Sequence, residues 1–163
     1  VGEKRPLEVV LASPQGVIKG VEPGFKTVSI AFNQPMVPLQ PVPLDLNDAP
    51  MKIEPSVPGK FRWKGTATLT FEAKEPMPFG THYKVTIPAG TKSWSGQSLD
   101  KDYVFEFTTP VAGLVGSLPV ATTLAAAPEG PIYLHFNQPM DPTTAVSSLA
   151  LECKGQAVPF DVR

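Results

Sequence analysis

VSIAFNQPM, Val28 to Met36, is the stretch on which the reading of this chain turns. Val28, Ile30 and Phe32 alternate with Thr27, Ser29 and Ala31. An extended backbone sends successive side chains to opposite faces, so the apolar set shares one face and the small or polar set takes the other. On a helix the same residues would scatter, because helical neighbours recur every three or four positions. Pro35 then removes a backbone donor and closes the strand. The stretch therefore predicts a β-strand with one buried face.

The same period recurs further along the chain. Leu69 and Phe71 alternate with Thr68 and Thr70, and Tyr83, Val85 and Ile87 with His82, Lys84 and Thr86. Tyr103, Phe105 and Phe107 stand against Val104 and Glu106. Shorter candidates run from Glu8 to Ala12, from Met51 to Glu54, and from Phe61 to Trp63 ahead of a Lys64-Gly65 turn. The 20 prolines and 13 glycines break most helices, and no segment sustains an apolar i, i+3, i+4, i+7 pattern. Short strands separated by Pro/Gly turns over about 100 residues predict an all-β chain, an antiparallel immunoglobulin/fibronectin-III-like β-sandwich.

The decisive stretch is also repeated. IYLHFNQPM, Ile132 to Met140, echoes it and sets Phe136 104 residues beyond Phe32. That period is domain-sized, and YVFEFTTP, Tyr103 to Pro110, reads as a last strand running into a linker. Residues 1–110 are expected to form one sandwich and residues 111–163 the N-terminal part of a second, truncated copy. The second copy shows no counterpart of Trp63, of the TLTF strand or of the closing FEFTT strand. Half a sandwich leaves an apolar face and open edges. The tail is thus expected to be poorly ordered, to pack on the first domain, or to pair with another copy of itself.

Bulk properties narrow the function classes. With 163 residues and 42% hydrophobic content the chain can bury one good core, and a second only if it is small or incomplete. A formal net charge of -1, from 14 basic and 15 acidic residues, gives no electrostatic footprint for nucleic acid or an anionic membrane. No apolar run reaches the length of a membrane span, and VGEKRPLEVV lacks the successive regions of a signal peptide. The single cysteine, Cys153, excludes an internal disulfide and leaves the redox compartment open.

The run FRWKGTATLTFEAKEPMPFGTHYKVTIPAG, Phe61 to Gly90, followed by Gly96 and the closing FEFTT, resembles the bacterial Ig-like domains of cell-surface proteins. It most closely resembles the N-terminal macroglobulin-like domains of bacterial alpha-2-macroglobulins. The residues that carry the resemblance are Trp63-x-Gly65 before a strand, then Gly80-Thr81-x-Tyr83-x-Val85, and the repeated FNQPM. Each also has a structural reading. Trp63 can plug the space between two sheets, Gly80 permits a sharp turn, and Tyr83 can bury its ring while its hydroxyl bonds nearby backbone, like a tyrosine corner.

The resemblance implies a structural and interaction module of a secreted bacterial alpha-2-macroglobulin-like protease inhibitor, periplasmic or at the cell surface. In that family cleavage of a bait segment closes the protein around a protease, often with covalent capture by a thioester, and the Ig-like domains are scaffold. The implied partners are neighbouring domains of the same full-length chain and, through the full-length protein, proteases. The alternative is an Ig-like module of a bacterial adhesin, S-layer or enzyme-appended array that binds glycan or calcium.

No residue is assigned a catalytic, cofactor-binding or metal role, and no cofactor is expected. Cys153 and Gln156 have the cysteine-to-glutamine spacing of the macroglobulin thioester, but Glu152 and Gly155 stand where that motif has glycine and glutamate. LALECKGQAVPF instead reads as two short strands around a Lys154-Gly155 turn. His82 and His135 fall on outward faces in different copies, with no second ligand at useful spacing. The acidic clusters around Asp45 and Asp48 and around Asp100 and Asp102 read as solvated loops, since calcium needs several converging oxygens. No GxSxG, P-loop or HExxH occurs, so the chain is read as a non-enzyme. Trp94, in TKSWSGQS, is expected to cover the end of the sandwich and is the one plausible stacking platform for a sugar.

Overall fold

The computed structural model describes residues 5–19, 25–39, 45–46, 49–120 and 130–163. The chain separates into two compact units, Val1–Val111 and Ala112–Arg163.

The strands of the first unit are β1 (Val9–Ser13), β2 (Gly16–Val17), β3 (Thr27–Phe32), β4 (Asp45–Leu46), β5 (Lys52–Glu54), β6 (Gly59–Lys64), β7 (Thr68–Ala73), β8 (His82–Ile87) and β9 (Tyr103–Thr108). They form a five-stranded sheet in the order β1-β3-β7-β6-β4 and a four-stranded sheet in the order β2-β9-β8-β5. All neighbours are antiparallel except β2, which runs parallel to β9. Seven of these strands take the places of an immunoglobulin sandwich: β1, β3, β7 and β6 stand as A, B, E and D, and β5, β8 and β9 as C, F and G. β2 and β4, of two residues each, are additions to the expected set.

The alternation read from the sequence becomes the core. Register sets Ile30 opposite Leu69 and Val28 opposite Phe71 in one sheet, and Tyr83 opposite Phe107 and Val85 opposite Phe105 in the other. These side chains join one buried cluster that also holds Leu7, Met36, Met51, Met77 and Leu99. Each fully buried aliphatic or aromatic side chain contributes about 1.5–3 kcal/mol relative to exposure. Tyr83 stacks on Phe107 at 5.2 Å between ring centroids, and Phe25 meets Phe107 edge-on at 5.7 Å. Burial pushes the Tyr83 phenol pKa up, with the Thr81 side chain opposing the shift.

Trp63 does not plug the sandwich. It lies on β6, in the D position, half-buried at the margin of the core and tilted against Phe32 at 6.3 Å. The central place belongs to the Tyr83–Phe107 pair, because these strands lie inside the four-stranded sheet, whereas β6 is followed by the two-residue edge strand β4. β6 opens at Gly59, opposite Ala73, where a Cβ would overlap the Phe71 ring and lie 2.5 Å from the Glu72 carbonyl oxygen. The side-chain-free position admits the close Phe61–Phe71 contact, 5.1 Å between centroids.

The turn into β8 is built as the sequence suggests. Gly80 has φ 60° and donates its N–H to Pro110 O at 2.9 Å. Thr109, fully buried, accepts from Thr81 N at 2.9 Å and donates to Pro78 O at 2.6 Å, so no polar atom is stranded where β9 ends.

The second unit contains β10 (Leu114–Leu118), β11 (Tyr133–Phe136), a five-residue helix α1 (Pro142–Val146), β12 (Glu152–Cys153) and β13 (Gln156–Ala157). β10 and β11 pair antiparallel, and β12 and β13 form a hairpin whose turn residues, Lys154 and Gly155, both have positive φ (51° and 79°). Asp141 caps α1 by accepting from Thr143 N at 3.0 Å.

The β10–β11 pair copies β1–β3 in detail. Val9 faces Phe32 and Leu114 faces Phe136; a bulge follows in each; then Leu11, Ala12 and Ser13 meet Ala31, Ile30 and Ser29 as Gly116, Ser117 and Leu118 meet His135, Leu134 and Tyr133. β13 lies 104 residues beyond the first two residues of β5, and a proline follows at the same spacing in each copy, Pro55 and Pro159.

Candidate interaction surface

The residues singled out for chemistry do not converge. Cys153 and Gln156 face each other across the β12–β13 hairpin, with Cys153 exposed. His82 is exposed, with Nδ1 3.0 Å from the Thr108 hydroxyl and Nε2 3.4 Å from Glu106. His135 is exposed on β11. Asp102 accepts from Ala89 N at 2.7 Å and so ties a loop, while Asp100 is exposed at a bend. Asp48 lies outside the described residues. Among the described residues no three His, Cys, Asp or Glu side chains are grouped to hold a metal. No described helix is long and apolar enough to cross a membrane.

Asp45 is instead part of an ion-pair cluster. The β4–β6 register sets it opposite Arg62, with Nη2 2.6 Å and Nε 2.9 Å from Oδ1, while Lys60 Nζ lies 3.2 Å from Oδ2. The hydrogen bond from Arg62, and then that from Lys60, holds the Asp45 pKa below the ordinary carboxylate value, and Asp45 in turn raises that of Arg62. The cluster lines an open groove on the outer face of the five-stranded sheet, where Lys26, Lys74 and Glu72 complete the charged wall. Asp45 engages two of the four cations, so the groove's main effect is to fasten the two-residue β4 to the sheet.

Trp94 does not cover the sandwich end. Its side chain is 67% exposed, and its backbone N–H donates to Pro35 O at 2.9 Å. The loop that carries it is anchored by Ser95, whose hydroxyl donates to Gln34 Oε1 at 3.1 Å.

The polar pair of FNQPM has a role that reading the strand alone misses. Asn33 N donates to Glu8 O at 3.0 Å while Glu8 N donates to Asn33 Oδ1 at 3.0 Å, and Asn33 Nδ2 donates to Pro6 O at 2.9 Å. Gln34 Nε2 donates to Arg5 O at 2.7 Å. The motif thus clasps the chain as it enters β1. The second unit repeats the clasp: Asn137 N donates to Gly113 O at 3.0 Å, and Gly113 N to Asn137 Oδ1 at 2.9 Å. The available signal was the identity of Asn-Gln in both copies, which ending a strand does not require.

This sandwich agrees with what the chain is similar to. A model of the bacterial Ig-like domain matches residues 3–109, more than half the chain. The chain belongs to the bacterial Ig-like domain family. That family is generally non-catalytic. This bacterial Ig-like chain is also 28% identical over 113 residues to an alpha-2-macroglobulin homolog from Nostoc sp. (strain PCC 7120). The match covers 66% of this chain and 6% of that protein, so the chain spans a small part of the relative's length.

Proposed function

We propose that this chain is a scaffold and interaction module of a larger secreted alpha-2-macroglobulin-like protease inhibitor, at the cell surface or in the periplasm. Residues 1–110 supply one complete Ig-like domain, and residues 111–163 open a second. The observation that carries the reading is the similarity to the alpha-2-macroglobulin homolog, which covers 66% of this chain and a small share of that long protein. The geometry agrees with a structural role. Polar side chains of the first unit, among them Asn33, Gln34, Asp45 and Arg62, form clasps and ion pairs that fasten strands, and the FNQPM clasp recurs within the second unit. Its partners are neighbouring domains of the same parent chain, and proteases are met through the assembled parent.

The test is made on the parent protein, mixed with a broad-specificity protease and assayed for cleavage of a large protein and of a small peptide. Loss of protein cleavage with retained peptide cleavage is the expected result, since a caged protease admits only small substrates. Unchanged cleavage of both would remove the inhibitor reading and favour a surface array.

A further inference from the structure

The groove beside β4 holds more positive charge than its own residues use. Lys26, Lys60, Arg62 and Lys74 line an open space of about 460 Å³ together with two carboxylates, Asp45 and Glu72. Four cations against two anions leave a net charge of +2, on a chain whose formal net charge is -1, so the positive potential is local to this face. Arg62 and Lys60 are engaged by Asp45, whereas Lys26 and Lys74 form no ion pair among the described residues. The Lys26 ammonium lies 3.5 Å from Lys74 O, which brings the two unpaired cations together just past the end of β7. Like charges gathered in this way repel, and an incoming anion relieves them.

Asp45 shows how the groove takes a carboxylate. It is carried by an extended segment opposite Arg62, with the guanidinium on one oxygen and the Lys60 ammonium on the other. Side chains two apart on an extended chain share a face at about 6.5–7 Å, the distance between successive rungs of the sheet. Those rungs set Arg62 opposite Thr70 and Lys60 opposite Glu72. Glu72 stands among the cations without an ion pair of its own among the described residues, so it repels a ligand charged at every position. It thereby selects spaced carboxylates over a sulfated or phosphorylated polymer. We infer that the groove docks an extended acidic segment of a partner protein, one carboxylate seated between Lys26 and Lys74 and the next at Lys60. Lys60 has three donors and gives one to Asp45, so a second carboxylate is received without displacing the first. The inference goes beyond the inhibitor reading and does not depend on it, because the groove belongs to the first unit alone and is tested on this chain.

The probe is a fluorescein-labelled hexapeptide of alternating glutamate and threonine, titrated with the 163-residue chain and read by fluorescence polarisation. Binding saturates at low ionic strength and weakens at least about tenfold between about 20 mM and about 200 mM salt, while the same peptide with glutamine for glutamate does not bind. Lys26→Gln/Lys74→Gln weakens the glutamate peptide at least about tenfold. Lys52→Gln/Lys84→Gln removes the same charge from the four-stranded sheet and changes affinity less than about twofold. Neither Lys26 nor Lys74 is ion-paired among the described residues, so their replacement leaves the tryptophan-detected unfolding transition in place. Glu72→Gln strengthens binding of a heparin-derived tetrasaccharide more than that of the peptide, because it removes the repulsion that selects between them. An absence of saturable binding would overturn the inference, as would an equal loss in the two double variants, which would assign the effect to the general field of the chain. Tighter binding of the tetrasaccharide than of the peptide by the unaltered chain would give the groove to a sulfated glycan instead. An unchanged ratio of the two affinities in Glu72→Gln would overturn the selective role of that carboxylate.

Discussion

The β1–β3 pair of the first unit and the β10–β11 pair of the second have one geometry and two environments. Register, bulge and asparagine clasp coincide, yet Ile30 is fully buried and Leu134 is 38% exposed. None of the described residues of the second unit is fully buried. Backbone pairing and the clasp therefore need only the two strands they join, whereas burial is a property of the completed sandwich. Hydrogen bonds hold the hairpin in register, and packing gives it stability.

The sharpest way to break this comparison is to truncate the same position in both copies. Ile30→Ala lowers the unfolding free energy of the first unit by about 3–5 kcal/mol, through lost transfer energy and a residual cavity. Leu134→Ala changes it by less than about 0.5 kcal/mol. Urea unfolding followed by tryptophan fluorescence reads the first unit alone, because Trp63 and Trp94 are the chain's two tryptophans. The second unit has no tryptophan, so its own response to Leu134→Ala is read by hydrogen exchange at residues 133–136, and a loss of protection worth more than about 2 kcal/mol would mean that the second hairpin is packed as the first one is.

The clasp gives a smaller, more symmetric effect. Asn33→Ala removes the acceptor of Glu8 N and the donor to Pro6 O and lowers first-unit stability by about 1–2 kcal/mol. Asn33→Asp keeps the acceptor and recovers about half. Because the clasp is local, Asn137→Ala speeds hydrogen exchange at Gly113 by about tenfold without altering the tryptophan-detected transition. If Asn33→Ala and Asn33→Asp both leave stability unchanged, the motif serves only to end a strand.

Much of this was legible before the structure. β3, β7, β8 and β9 show a clean period of two, and each is a strand of the first unit. β2 and β4 were not legible, because two residues cannot display a period; they are held by partners distant in sequence, β9 and β6. The place of Trp63 was also out of reach. Size and apolarity recommend it for the centre, but sheet order decides centrality, and sheet order is set by pairings that no local pattern reveals. The exposure of Trp94 was out of reach for a related reason: its loop is fastened by backbone and Ser95, which leaves the ring outside. The hairpin turn at Lys154-Gly155 needed only local chemistry, since both positions require positive φ.

The smallest effect separates the two units by how each holds a carboxylate. Asp45 and Asp141 both titrate below the ordinary value of 3.8, the first through charged partners, Arg62 and then Lys60, the second through Thr143, first by its hydroxyl and then by its backbone N–H. A folded-state pKa below the unfolded one gives stability that is present above the unfolded value and lost as pH falls through the folded one. Both contributions therefore fade only below about pH 4. Both groups are at the surface, so the change in unfolding midpoint is slight, and carboxyl chemical shifts are the better readout. Salt tells them apart: at 0.5 M sodium chloride the Debye length falls to about 4 Å, so the Asp45 titration moves up toward the ordinary value. The Asp141 titration moves less, because neutral hydrogen-bond donors are not screened. Arg62→Gln shifts Asp45 upward at low salt and removes most of its salt dependence, and Thr143→Val shifts Asp141 with little change in its salt response. If both carboxylates respond to salt alike, the charged cluster of the first unit is solvated like any exposed pair and does not fasten β4 to the sheet.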